Sequence, residues 1–230
     1  MPRTFLIFPD AHGIPRGKLV NEGFRDGLEI GCASGVFSKD IFGIPQLFDI
    51  LATPSGAADI RIRAENGVAL DFAPRPAFLP DLLIGASAVA IGTVTDPAKA
   101  PHPLDFRRIL RDLIADHPTL DRYRFGGELE FFLRPHDDVP SFRPDGQAYA
   151  FSSAMPLQRC LDAMMAALDH VGIPWEGFSQ ENDLNQFEFS LGHSGPLAQA
   201  DRIFLARFVM RSVAAAHGLR AHLYTSPHLV

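Results

Sequence analysis

With 230 residues, 47% of them hydrophobic and 21% charged, the chain has the length for one large domain or two small ones and the composition of a folded globular protein, which excludes disorder as a global description. A net charge of −6 with histidine neutral lacks the basic footprint of a nucleic-acid binder, and no apolar run reaches the ~18 residues needed to cross a bilayer. The apolar stretch near Met1 is too short for a signal peptide, and two distant cysteines, Cys32 and Cys160, suggest neither a disulfide framework nor a zinc site, so a cytoplasmic, reducing location is expected.

In chain order, Thr4 to Phe8, Ala58 to Arg63, Val68 to Phe72 and Ala88 to Thr95 are rich in Val, Ile and Phe and bounded by Gly or Pro. They read as the short strands of a small, mostly β unit. Asp96 to Pro103 is dense in proline and poor in large apolar side chains, the composition of a linker, so a boundary is expected there, with domains over 1–99 and 100–230. Beyond it, Asp105 caps a helix with apolar positions Ile109, Leu110, Leu113 and Ile114, stopped by Pro118. Arg124 to Leu133 reads as a strand and Pro135 to Gly146 as a polar loop. A second helical stripe, Leu157, Leu161, Met164, Leu168 and Val171, closes at Gly172. Trp175 to Gln180 and Gln186 to Leu191 suggest a β pair, Leu197 to His217 a long helix ended by Gly218, and Ala221 to Tyr224 a last strand. The second part is therefore α+β.

Chemistry concentrates in two of these segments. In Gly127-Glu128-Leu129-Glu130-Phe131-Phe132-Leu133, strand alternation puts Glu128 and Glu130 on one face and Leu129, Phe131 and Leu133 on the other. Gln186-Phe187-Glu188-Phe189-Ser190-Leu191 repeats the pattern, with Glu181 just upstream. Carboxylates gathered on neighbouring strands either hold protons more tightly or demand a cation, and hard divalent ions such as Mg2+ or Mn2+ suit an all-oxygen set. The residues alone leave a second reading open, an antiparallel sheet with one solvated face and no ion. Phosphate-loop, dinucleotide, zinc-protease and serine-elbow motifs are missing from the sequence, and none of the nine His pairs with another at helical or zinc-finger spacing.

Five stretches then fall into a familiar order. They are Asp10-Ala11-His12-Gly13-Ile14-Pro15-Arg16-Gly17-Lys18; Asp105-Phe106-Arg107; Gly127-Glu128-Leu129-Glu130-Phe131; Glu181-Asn182-Asp183-Leu184-Asn185-Gln186-Phe187-Glu188; and Ala200-Asp201 with the helix that ends in His217-Gly218-Leu219. The chain resembles the glutamine synthetase family, including its members that join glutamate to amines such as putrescine. The first stretch is similar to the family's Asp-x-x-Gly-x-x-Arg-Gly-Lys turn and the second to its Asp-Pro-Arg element, with Phe106 in place of Pro. The fourth keeps the Glu-x-x-Pro-Gly-Gln-x-Glu spacing, with Asp183-Leu184-Asn185 replacing the small Pro-Gly stretch.

The resemblance implies an α+β fold: an N-terminal β-grasp domain, then the first half of a catalytic domain built on a curved antiparallel sheet. It also implies ATP, Mg2+ or Mn2+, glutamate, and ammonia or a small amine as ligands. Carried over residue by residue, Glu130, Glu181 and Glu188 hold a first metal, Glu128 contributes to a second, Glu176 contacts the nucleotide and Tyr149 lies near the amine pocket. The family's N-terminal Asp that serves a neighbouring subunit has only Asp40 as a candidate.

After Ala221 to Pro227 the family continues into Lys-Pro and Gly-Ser-Gly-x-His segments, with arginines that bind glutamate and the phosphates. Here the sequence reaches Val230 first. Losing one such charge stabiliser costs about a hundredfold to a thousandfold in rate, so little turnover, exposed apolar surface and a tendency to associate are expected of a truncated member. The alternative expectation is a non-catalytic interaction protein that docks on full-length relatives and modulates their assembly.

Overall fold

The computed structural model describes residues 1–39, 43–44, 59–71, 87–135, 148–151 and 154–223. The described chain forms two compact units, one from residues up to 122 and one from residues after it.

The first unit is a five-stranded mixed sheet. Its strands are β1 (Thr4–Pro9), β2 (Pro15–Val20), β3 (Glu29–Ala33), β4 (Asp59–Asp71) and β5 (Ala88–Thr95), in the spatial order β2-β1-β5-β4-β3. β1 and β5 run parallel at the centre and the other pairs are antiparallel, an order compatible with the β-grasp expectation. Leu6, Phe8, Ile60, Ile62, Ala90 and Val94 build its core with Leu28 and Phe37.

The Asp10 turn owes its pattern to charge satisfaction. Buried Asp10 accepts from the backbone N–H groups of His12 and Ile14, both at 2.9 Å, and from Arg16 Nε at 2.8 Å. Gly17 is required next, because a Cβ there would lie 2.0 Å from the Leu6 carbonyl oxygen.

Helix α1 (Phe106–Asp116) belongs to this unit. Asp105 caps it as expected, Oδ1 accepting from Arg108 N at 3.0 Å, and its other oxygen accepts from Val94 N at 2.8 Å, which ties the cap to β5. Arg107 and Arg111 both pair with Glu65 of β4. The apolar stripe that announces α1 is exposed in part: Phe106, Ile109 and Leu113 retain 39%, 42% and 46% of their accessible surface.

The second unit is an antiparallel sheet of β6 (Phe125–Pro135), β7 (Trp175–Gln180), β8 (Gln186–Ser194) and β9 (Leu219–His222), ordered β7-β8-β6-β9. Helices α2 (Ala154–His170) and α3 (Pro196–Ala216) pack together, and α3 also contacts the sheet. Leu129, Phe131, Phe187 and Phe189 are buried on the apolar side, with the Phe131 and Phe189 rings stacked 5.7 Å apart. Among the described residues no helix is long and apolar enough to cross a membrane.

The structure corrects two readings of the strands. The two strands expected over 58–63 and 68–72 are one strand, β4, whose pairing with β5 shifts register between Ala64 and Ala69. β2 and β3 were not foreseen: Pro15 and Gly17 fall in the stretch likened to a turn, and no strand was assigned over 29–33; both strands lie at the sheet's edges, where Pro is tolerated. The Asp96–Pro103 stretch folds back on β5, with Asp96 N donating to Ala100 O at 2.9 Å and His102 N to Val94 O at 3.0 Å. Asp40, the 136–146 part of the polar loop and Tyr224 lie outside the described residues.

Candidate active site

Register decides what alternation could only suggest. Glu130 on β6 is the direct cross-strand partner of Glu188 on β8, and Ser179 on β7 is the next residue along that row. The neighbouring row is Glu128, Ser190 and Gly177. Glu181 follows β7 immediately, and its Oε1 accepts from Ser179 Oγ at 3.2 Å. All four expected carboxylates thus stand at one end of the sheet's polar face.

The crowding shows in their protonation. The Glu130 carboxyl is pushed above the usual range first by burial and then by the charge of Glu181, with Glu128 adding to it, while the hydrogen bond from Gln186 opposes the rise. Glu188 is raised by burial and by Glu128, Glu181 and Glu130, against a hydrogen bond from Ser190. Like charges directly opposite on a sheet are unfavourable by about 0.2–1 kcal/mol. No salt bridge among the described residues pairs any of the four with Lys, Arg or His.

The expected cradle is not drawn tight, since no three His, Cys, Asp or Glu side chains among the described residues converge in ligand geometry. The donor set remains hard, anionic and without a protein cation among the described residues, which fits Mg2+ or Mn2+ better than a soft metal.

Two glycines and a bulge shape the neighbouring cleft. Gly127 precedes Glu128 because a Cβ there would meet the Gln199 amide and Ile203 at 2.9 Å. With its amide oriented to suit its neighbours, buried Gln199 accepts from Gly127 N at 3.1 Å and donates to Ser194 Oγ at 2.6 Å, fastening α3 to β6 and β8. On β7 the pairing with β8 slips between Trp175 and Gly177, and Glu176 sits at that bulge. Glu176 is exposed, and its Oε1 lies 3.4 Å from His193 Nδ1. Both line a cleft of about 500 Å³ with Glu128, Ser190 and the Gly126-Gly127 backbone.

Tyr149 is placed differently. Its backbone N donates to Gln180 O at 2.9 Å, beside the approach to Glu181, but its side chain is 70% exposed and it stands at φ +62°. The buried thiol of Cys160 is pushed up to about 12 by burial, so it has no nucleophilic role at neutral pH.

Sequence reading assigned no role to Gln186, His193, Arg134 or Asp183. Gln186 Nε2 donates to Glu130 Oε2 at 3.2 Å. Arg134 and Asp183 form a buried ion pair, 3.6 Å apart, at the turn between β7 and β8. The signal for Arg134 was available in the parity of positions 128, 130, 132 and 134, whereas His193 lies beyond a register shift that parity does not foresee.

The comparisons agree with this architecture. The family description "Glutamine synthetase, catalytic domain" matches residues 104–228, and the chain belongs to the glutamine synthetase family. It is similar to the gamma-glutamylpolyamine synthetase GlnA3 of Streptomyces coelicolor, with 31% identity over 177 residues, 75% of this chain and 36% of that protein. Among solved structures, one described as a novel glutamine synthase homolog superposes with TM-score 0.72 at 22% identity, covering 96% of this chain and 50% of that one. The ADP complex of GmaS gives 0.70 at 20% identity, covering 99% and 50%. The chain spans about half, or less, of the length of these relatives.

Proposed function

We propose that this chain carries the acidic half of the site of an ATP-dependent carboxylate–amine ligase acting on glutamate and ammonia or a small amine. The observation that carries it is the Glu130–Glu188 cross-strand pair, with Glu181 and Glu128 within electrostatic reach and no cationic partner among the described residues. The polyamine synthetase named among the relatives supports an amine as the second substrate, and the ADP-bound one supports a nucleotide.

In this reading Glu130, Glu181 and Glu188 hold one divalent ion and Glu128 helps hold a second. A bound divalent ion supplies charge neutralisation and Lewis-acid polarisation of the phosphoryl group. Glu176 and the cleft it shares with His193 take up the nucleotide, and Tyr149 stands on the amine side. The reaction forms a bond from the glutamate γ-carboxylate oxygen to the terminal phosphorus and breaks the bond from that phosphorus to ADP. The amine nitrogen then bonds to the carbon of that γ-carboxyl group, Cδ, loses a proton, and inorganic phosphate leaves. The sheet's contribution is positioning: a rigid row of carboxylates that does not reorganise during the step.

The side chains proposed to hold the metal ions are all carboxylates, so the 230 residues assayed alone are expected to give little ADP release. Mn2+ titration by calorimetry tests the reading directly. Binding that disappears in Glu130→Ala supports it, and an unaltered chain that takes up no Mn2+ overturns it. A second reading, a non-catalytic chain that docks on a full-length family member, has the exposed Phe106, Ile109 and Leu113 in its favour. Native mass of a mixture with such a relative separates the two.

A further inference from the structure

We infer that the buried Arg134–Asp183 ion pair is a positioning device that shuts the turn between β7 and β8 and, through the Gln186 amide, sets where Glu130 and Glu181 stand. The inference rests on the metal reading above and deepens it.

Both side chains of the pair are only 2% exposed. A carboxylate taken out of water costs several kcal/mol unless a countercharge accompanies it, so Asp183 without Arg134 would draw the turn outward to reach solvent. Arg134 prevents this from the same strand and the same face as Glu128 and Glu130, with its guanidinium 5.2 Å from the Phe132 ring centroid between them.

The buried Asp183 is also the anchor of the turn. Its Oδ1 accepts from Leu184 N at 2.7 Å and its carbonyl accepts from Gln186 N at 3.0 Å. Its own N–H donates to Gln186 Oε1 at 3.1 Å. That last bond fixes which end of the Gln186 amide faces which way: with the oxygen held by Asp183, the nitrogen is left to donate to Glu130 Oε2 at 3.2 Å. The Gln186 carbonyl meanwhile accepts from Glu181 N at 2.9 Å. One residue therefore holds the side chain of Glu130 and the main chain of Glu181, and Asp183 holds that residue. Asn185, at φ +62°, supplies the left-handed step the turn needs, and its carbonyl accepts from Leu133 N at 2.9 Å.

The test uses the full 230-residue chain, the paired variant Arg134→Met with Asp183→Asn, and Arg134→Lys. Removing both charges together avoids leaving either member of this pair charged without the other, and Asp183→Asn retains a side-chain acceptor for Leu184 N. The expected results are a folded paired variant by near-ultraviolet circular dichroism, an Mn2+ dissociation constant raised at least tenfold, and Gln186 side-chain NH2 resonances moved toward those of a free amide. Arg134→Lys, which keeps the charge, should stay within about threefold of the unaltered protein.

A folded paired variant that binds Mn2+ with unaltered affinity and leaves the Gln186 resonances in place overturns the inference. The Gln186 signal in the unaltered chain decides the case if the variant does not fold: slow exchange supports the relay and free-amide behaviour sinks it. If the unaltered chain takes up no Mn2+, the metal reading fails, and the Gln186 resonances still decide the positioning by themselves.

Discussion

Two acidic motifs of this chain, the Asp10 turn and the β6–β8 carboxylate row, look equally chemical in sequence and behave in opposite ways in the fold. Asp10 is buried and fully answered by Arg16 and two backbone N–H groups within seven residues of itself. Glu130 and Glu188 face each other across strands, answered among the described residues by the neutral donors Gln186 and Ser190. A charge neutralised locally stabilises the fold, whereas one held against like charge by the register of a sheet is available to a ligand. Charge satisfaction, more than residue type, separates the structural motif from the proposed metal site.

The comparison breaks most visibly at the first motif. Gly17→Ala puts a methyl group onto the Leu6 carbonyl, so β1 and β2 must part, and urea unfolding is expected to show a loss of several kcal/mol or no folded protein. Asp10→Ala strands Arg16 and two amides, with an expected loss of about 3 kcal/mol in the same measurement, and should leave Mn2+ binding by the protein that remains folded unchanged.

The second motif should respond the other way round. Glu188→Gln relieves repulsion, so stability should hold or rise by up to about 1 kcal/mol while Mn2+ affinity falls at least tenfold by calorimetry. The pH dependence sharpens this. Glu130 and Glu188 hold protons more tightly in the folded chain than in the unfolded one, so their contribution is fully present below the ordinary carboxylate range. It is lost as pH rises through their raised values. The Glu130→Gln, Glu188→Gln double variant should therefore lose less stability than the unaltered chain between about pH 4 and pH 7 in urea titrations. A parallel loss in both proteins would show that other groups carry the slope. The smallest effect is expected at Tyr149, where the exposed ring makes Tyr149→Phe neutral within about 0.5 kcal/mol in the same urea titrations.

Much of this was readable from local pattern. Asp105 as a helix cap, Gly172 and Gly218 at positive φ after α2 and α3, and the shared face of Glu128 and Glu130 all follow from spacing and residue type. The edge strands escaped for different reasons: β3 pairs with β4 some thirty residues on, while β2 is the second strand of a hairpin with β1 whose Pro and Gly content speaks for a turn. The exposed stripe of α1 shows the converse: periodicity declares a helix but does not name what its apolar face meets.

Sequence alone determined the alternation, the caps, the acidic character of two strands and their resemblance to one family, since each depends on bonds and torsions within a few residues. Tertiary structure alone decided that Glu130 stands opposite Glu188, that a bulge carries Glu176 to the cleft, and that Arg134 and Asp183 meet in the interior. Those outcomes depend on strand register and burial, which are set by contacts between residues far apart in the chain and settle only when the whole sheet has formed.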